Sequence, residues 1–95
     1  MDLSHFQPLV GQFFDVPGEE EGEVFVQLRL CEVEKFGAGH AGRAEPFSLI
    51  FEGPSSLALD QGSYLLSNQT LGEEPIFLVP ISDNGTVRQY QAIFN

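Results

Sequence analysis

The side chains that could support catalysis or bind a metal ion are few and far apart in the sequence. The chain has two histidines, His5 and His40, and one cysteine, Cys31. Nucleophilic catalysis needs a nucleophile, a base and a group that orients the base. A structural zinc site commonly uses four Cys or His ligands. Three dispersed residues favour neither chemistry, so we expect a protein that is not an enzyme and that uses no metal or cofactor.

A glycine-rich segment in the middle of the chain has the spacing of a dinucleotide-binding loop without its context. Gly37, Gly39 and Gly42 fit the pattern G-x-G-x-x-G, in which backbone amides at the start of a helix hold a pyrophosphate. A strand pattern follows these glycines where the motif requires a helix. We therefore interpret the segment as an exposed loop suited to ordering on a partner, and His40 and Arg43 as residues of that loop.

The charge of the chain favours protein partners over nucleic acid. Fourteen acidic residues against four basic ones give a formal charge of −10, which repels nucleic acid and anionic membranes. The acidic run at 19–23 lacks the D-x-[DN]-x-[DN]-G spacing of a calcium loop, and we interpret it as a solvated hairpin tip. The same charge leaves one alternative open, an acidic mimic that occupies the basic groove of a nucleic-acid-binding protein.

Alternation of apolar and polar residues, the pattern of strands with one buried face, runs through most of the chain. The predicted strands cover residues 12–16, 23–34, 47–52, 63–68 and the two arms of a C-terminal hairpin. The inward residues of the longest central strand are predicted to be Val24, Val26, Leu28 and Leu30, with a bend or bulge near Cys31. Six strands with turns between them predict one all-β domain over residues 1–95. We expect a small antiparallel six-stranded barrel, or a closely related sandwich.

The C-terminal hairpin provides the predicted register. A two-residue loop at Asn84-Gly85 is the strongest short-range hairpin signal, because both residues tolerate positive φ. That loop places Val79 opposite Tyr90 and Phe77 opposite Ala92. The residues then expected on the inward face are Phe77, Val79, Ile81, Tyr90, Ala92 and Phe94.

Two local signals add detail to this barrel. Ser4 and Gln7 have the spacing of a capping box, which predicts a short N-terminal helix of one or two turns that ends at Gly11; an irregular arm is the alternative. Pro80 has no backbone N–H to donate, so we expect a sheet edge or a bulge beside it.

Several short motifs, in order along nearly the whole chain, resemble those of one protein family. They are Phe6-x-Pro8-Leu9-Val10-Gly11-x-x-Phe14, Phe47-Ser48-Leu49-Ile50-Phe51-Glu52-Gly53-Pro54, Gln61-Gly62-x-Tyr64, Leu71-Gly72, Phe77-Leu78-Val79-Pro80-Ile81 and Tyr90-x-Ala92-x-Phe94-Asn95. The family comprises small bacterial proteins of unassigned function, often encoded near proteins with phage tail-collar domains. The resemblance implies an accessory or structural role around a tail-like assembly, and it implies no catalytic residues.

These observations together predict an interaction or assembly module that binds a protein partner or a second copy of itself. The predicted contact residues are Phe36, His40 and Arg43 around the glycine-rich segment, and Phe25, Ile50 and Ile93, which point outward by strand parity. A small-ligand-binding barrel is a further alternative, although inward Phe, Leu and Val should fill the interior. A single cysteine, no signal-peptide pattern and no apolar run of about 20 residues favour a cytoplasmic protein.

Overall fold

The computed structural model describes residues 2–36 and 46–94, and most of them lie in six antiparallel strands. The strands are β1 (Phe13–Pro17), β2 (Val24–Lys35), β3 (Phe47–Pro54), β4 (Gly62–Asn68), β5 (Gly72–Asp83) and β6 (Val87–Phe94). A helix α1 (Leu3–Phe6) precedes them, and single 3-10 turns occupy Gln7–Leu9 and Ser55–Leu57. The predicted contact residues His40 and Arg43 lie outside the described residues.

The strands form a closed barrel in the order β1-β2-β3-β6-β5-β4, and β4 returns to β1. Every neighbouring pair is antiparallel. This arrangement confirms the predicted six-stranded antiparallel barrel. The closure is uneven, because the seam between β1 and β4 has a single backbone pair, Asp15 with Ser67, within the described part of the chain.

Apolar side chains from all six strands fill the interior. The buried core consists of Phe6, Leu9, Phe14, Val16, Val26, Leu28, Leu30, Phe47, Leu49, Phe51, Leu59, Leu66, Ile76, Leu78, Tyr90 and Ala92. The rings of Phe14 and Phe51 meet edge to face with their centroids 5.2 Å apart, an arrangement that aromatic pairs favour. The inward alternation predicted for β2 is confirmed for three of its four residues.

Val24, the fourth of these residues, is exposed. Val16 pairs with Val26 but Pro17 pairs with Val24, so Phe25 is an extra residue on β2. A bulge of this kind reverses the direction of the side chains beyond it. The bend predicted near Cys31 is confirmed by a second bulge, because Leu30 pairs with Phe51 and Glu32 with Ile50.

The predicted C-terminal hairpin exists, but its turn lies one residue further along the chain than predicted. Asp83 pairs with Arg88, so Gly85 and Thr86, not Asn84 and Gly85, form the tip. Gly85 has φ +91°, and among the described residues only glycines have positive φ. Asn84 keeps an ordinary φ, and its side-chain oxygen accepts the N–H groups of Thr86 and Val87 at 2.9 and 2.8 Å. Positive φ at the first tip residue alone is typical of a type II′ turn.

A bulge at Ile81 changes the pairing of β5 with β6 again, by one residue. Ser82 pairs with Gln89, but Pro80 pairs with Tyr90. A one-residue change of register moves every side chain of a strand to the other face. The predictions that Phe77, Val79 and Ile81 point into the core are therefore wrong. Phe77 and Ile81 are exposed, and Val79 is partly exposed on the outer side of the sheet. Ile76 and Leu78 are buried instead. The predictions for Tyr90 and Ala92 are confirmed.

The surroundings of Pro80 agree with the prediction made for it. The ladder between β4 and β5 ends at the pair of Gly62 and Leu78, and the bulge at Ile81 follows on the β6 side. Pro80 therefore lies beyond the last β4 pair, where a missing N–H removes no ladder hydrogen bond.

The N-terminal helix closes one end of the barrel. Asp2, and not Ser4, is its cap: the Asp2 carboxylate accepts the Ser4 N–H at 3.0 Å, and the His5 ring nitrogen accepts the Asp2 N–H at 3.1 Å. Phe6 is fully buried, and its ring lies 5.9 Å from that of Phe47. Gly11, with φ +93°, follows the helical segment as predicted.

Candidate interaction face

Of the residues with potential for chemistry, the structure describes His5 and Cys31, and both make structural contacts. His5 caps the N-terminal helix. Cys31 is half-buried in the β2 bulge, and burial, followed by a hydrogen bond and repulsion from the Glu52 carboxylate, raises the pKa of its thiol from 9.0 to about 11. Such a thiol is a poor source of thiolate at neutral pH. Across residues 2–36 and 46–94, no group of three His, Cys, Asp or Glu residues is placed to hold a metal ion.

The outer surface of β4, β5 and β6 carries large apolar side chains exposed to solvent. We define the apolar face as Leu65 of β4, Pro75, Phe77 and Val79 of β5, and Ile93 of β6. Leu65 pairs with Pro75, Ser63 with Phe77, and Val79 with Gln91. The ladder between β5 and β6 ends at the pair of Val79 and Gln91. The same register continued by two residues places Ile93 across from Phe77, on the same side of the sheet. The five residues of the face are therefore contiguous.

The exposure of this face is large for residues of these types. Phe77 is 52% exposed, Ile93 55% and Leu65 45%. With Pro75 and Val79, this amounts to roughly 300–400 Å² of exposed apolar area, the size at which the largest patch of a monomer is often functional. The half-buried Ile50 of β3 pairs with Gln91 and extends the apolar area to a fourth strand.

Exposed carboxylates lie at the borders of this face. Glu73 of β5 pairs with Ser67 of β4, two residues beyond the pair of Pro75 and Leu65. On the other side of the face, Glu32 and Glu34 of β2 pair with Ile50 and Ser48 of β3. All three glutamates are exposed.

A fourth border carboxylate, that of Glu52, already has partners. Arg29 donates to its Oε1 at 3.3 Å and Gln89 to its Oε2 at 3.0 Å. Hydrogen bonds, first from Cys31 and then from Gln89, hold the pKa of Glu52 below its ordinary value.

A second polar network stabilises the hairpin tip. Asp83 accepts the Ser55 hydroxyl at 2.7 Å, the Gly85 N–H at 2.8 Å and an Arg88 N–H at 3.3 Å. These contacts, the Ser55 bond first, lower the pKa of Asp83. The Arg88 guanidinium lies 5.7 Å from the centre of the Tyr90 ring. The network supports the tip and lies apart from the apolar face.

The seam between β1 and β4 is closed largely by one side chain. The Asn68 amide nitrogen donates to the Phe13 carbonyl at 3.0 Å and to the Gln12 side-chain oxygen at 3.2 Å. Its oxygen accepts the N–H groups of Thr70 and Leu71 at 2.9 and 3.0 Å. Asn68 is buried, and its four hydrogen bonds supplement the single backbone pair of this seam.

The structure separates the residues predicted to contact a partner. Ile93 belongs to the apolar face and Ile50 adjoins it. Phe25 is exposed in the β2 bulge, on a groove that it shares with Pro17 and Tyr64. Phe36 is exposed just after β2. These assignments stay predictions, since no contact with another chain tests them.

Sequence reasoning missed Phe77 and Leu65, the largest exposed residues on the central strands of the apolar face. Phe77 was missed because the hairpin register was wrong by one residue. Leu65 lies next to Leu66, and the parity of β4 alone distinguishes the exposed member of this pair from the buried one.

The comparisons with known proteins identify a family. Residues 1–94 match the model of a family described as a domain of unknown function, DUF6916, and the chain belongs to that family. No curated protein and no solved structure matches the chain. Within the described residues, no helix is long and apolar enough to cross a membrane.

Proposed function

We propose that this DUF6916 domain is a non-enzymatic interaction module that binds another protein chain on its apolar face. The observation that carries the proposal is the contiguous exposure of Phe77, Ile93 and Leu65 on the outside of a barrel whose core is already filled. Fully burying one large apolar side chain contributes about 1.5–3 kcal/mol. Covering these half-exposed residues therefore provides a few kcal/mol toward association before any polar contact is counted.

A finer proposal concerns the setting of this interaction. The motifs of the chain resemble those of small bacterial proteins often encoded near phage tail-collar-domain proteins. We therefore propose an accessory role in a phage-tail-like structure, with the apolar face as the point of attachment. A cytoplasmic location is part of this proposal, because a single cysteine offers no intramolecular disulfide.

Site-specific photo-crosslinking in cells that produce the chain tests the attachment point. A photoreactive phenylalanine analogue at position 77 should give a discrete protein adduct, because the side chain is half-exposed and central in the face. The matched control is the same analogue at Phe13, which is 54% exposed. Phe13 lies about six residues along the strands from Phe77, or roughly 20 Å.

The two positions must give different results. An adduct at position 77 that is absent at position 13 supports the proposal. Equal labelling at both positions, or no adduct at position 77, would show that this face does not bind a protein chain. Both variants should keep the wild-type thermal unfolding midpoint, because both side chains are on the surface.

A further inference from the structure

We infer that the surface bound by the apolar face has an apolar centre bordered by lysine and arginine side chains, and that it belongs to a different protein and not to a second copy of this chain. The inference rests on the proposed function and adds the chemistry of the partner. Its basis is the charge of the residues that border the face.

The outward positions of the strands show an uncharged centre with acidic borders. On β4, β5 and β6 the outward residues between the two ends of the face are Ser63, Leu65, Pro75, Phe77, Val79, Gln91 and Ile93. Glu73 borders this set on the β5 side, and Glu32 and Glu34 border it beyond β3. A partner that covers the centre brings its own rim close to these carboxylates, so lysine or arginine is favoured at that rim.

None of the basic residues of the described chain lies in the centre of the face. Arg29 pairs with Glu52 at 3.3 Å, and Arg88 pairs with Asp83 at 3.3 Å near the hairpin tip. Lys35, at the end of β2, pairs in register with the inward-facing Phe47, so it does not share the parity of the face. Within residues 2–36 and 46–94, the centre of the face therefore carries no basic side chain that could attract an acidic partner.

The same charges disfavour a second copy. Two copies that pair through this face would bring the borders with Glu32, Glu34 and Glu73 of one molecule near those of the other. Each molecule also carries a formal charge of −10, and like charges across an interface oppose association. A partner with lysine and arginine at its rim avoids both the repulsion between border carboxylates and the repulsion between two net negative charges.

Three synthetic peptides test the inference by nuclear magnetic resonance titration of the isotope-labelled full chain. The first, Arg-Lys-Leu-Ala-Phe-Ala-Leu-Lys-Arg, has an apolar centre and basic ends. The second replaces the basic residues with glutamate, and the third replaces leucine and phenylalanine with serine. The first should shift the backbone amides of 63–67, 76–79, 81 and 91–93. Binding of the other two should be about tenfold weaker or undetectable, because one adds repulsion and the other has no apolar centre.

Variants of the chain separate the two contributions. Phe77→Ser should abolish the shifts on the face, and the control Phe13→Ser should leave them unchanged. The triple variant Glu32→Gln, Glu34→Gln, Glu73→Gln should keep binding the first peptide, but several-fold more weakly. Raising NaCl from about 50 to about 500 mM should weaken the wild type more than this variant.

The outcomes distinguish this inference from the proposed function. If the acidic peptide binds the face as well as the basic one, and the triple variant is unchanged, the charge inference is overturned and the apolar docking face stands. If the wild type forms a dimer in sedimentation that Phe77→Ser dissociates, the partner is a second copy, and the inference is again overturned. If Phe77→Ser changes nothing in either assay, the proposed function fails as well.

Discussion

Replacing Asn68 should weaken the barrel at the one seam that lacks a continuous ladder. Asn68→Ala removes the two hydrogen bonds that this side chain donates to Phe13 and Gln12 across the seam and the two that it accepts from Thr70 and Leu71. A hydrogen bond contributes about 0.5–1.5 kcal/mol net, and water can recover part of this where the freed group reaches solvent. All four hydrogen bonds are partly buried, so water can replace only some of them. We therefore expect a loss of about 2–4 kcal/mol in the free energy of unfolding.

The loss is large relative to the stability of a small domain, which is about 5–15 kcal/mol in total. With a urea dependence of about 1–3 kcal/mol per molar for small proteins, the midpoint should fall by about 1–2 M. Equilibrium urea unfolding measures the shift. A second variant, Asn68→Asp, keeps an acceptor for the turn amides and removes both donated bonds.

The two variants locate the effect. In Asn68→Ala, the amides of Thr70 and Leu71 should exchange with solvent faster than in the wild type. In Asn68→Asp they should stay protected, although the seam is weakened in both. The reasoning is refuted if Asn68→Ala unfolds within about 0.5 kcal/mol of the wild type, a change typical of ordinary surface positions. It is also refuted if the two variants show the same exchange at the turn.

Three further predictions concern single groups. Tyr90→Phe should cost about 1–3 kcal/mol in urea unfolding, because it leaves the buried Leu59 N–H, now 2.9 Å from the tyrosine hydroxyl, without its partner; an unchanged midpoint would contradict this. Burial raises the pKa of Cys31 from 9.0 to about 11, so the folded chain holds roughly 100-fold less thiolate than the unfolded chain. Because a thiolate of higher pKa is also more nucleophilic, Cys31 should react with iodoacetamide about tenfold more slowly in the folded chain than in urea. Hydrogen bonds, first from Ser55, lower the pKa of Asp83 in the folded state, so the stability that it adds is present above its unfolded pKa of about 3.9 and is lost as the pH falls through the folded value. The urea midpoint of the wild type should then fall more steeply below about pH 4 than that of Asp83→Asn, and parallel curves would argue against this role.

The class of fold could be predicted because it depends on local patterns that repeat along the chain. Alternation in β2 and β3 places Leu28, Leu49 and Phe51 in the core, and the structure buries all three. Closure into a barrel could be argued from the need to remove sheet edges. These inferences do not depend on the exact pairing of residues. The number of strands and the side on which each apolar residue lies follow from a pattern that recurs in strand after strand.

The register of a strand pair, in contrast, depends on single residues. Asn84-Gly85 could place its turn in either of two positions, and the choice was made by the Asn84 side chain, which accepts two backbone N–H groups and leaves positive φ to Gly85 alone. The bulge at Ile81 then changed the pairing once more. The hydrophobic pattern of β5 predicts neither the position of the turn nor the bulge, because apolar residues occupy both faces from Ile76 to Ile81.

This ambiguity and the apolar face have the same cause. A strand that is apolar on both sides can bury either set of residues, so its sequence cannot specify its own register. The bulge at Ile81 settles the matter, because it pairs Pro80, and not Val79, with the buried Tyr90. Ile76 and Leu78 then fill the core, and Phe77 and Val79 remain outside. An ordinary one-sided strand would carry polar residues at 77 and 79. Apolar residues at these positions contribute nothing to a barrel interior that Ile76 and Leu78 already fill, and the contact proposed for the apolar face would give them a role.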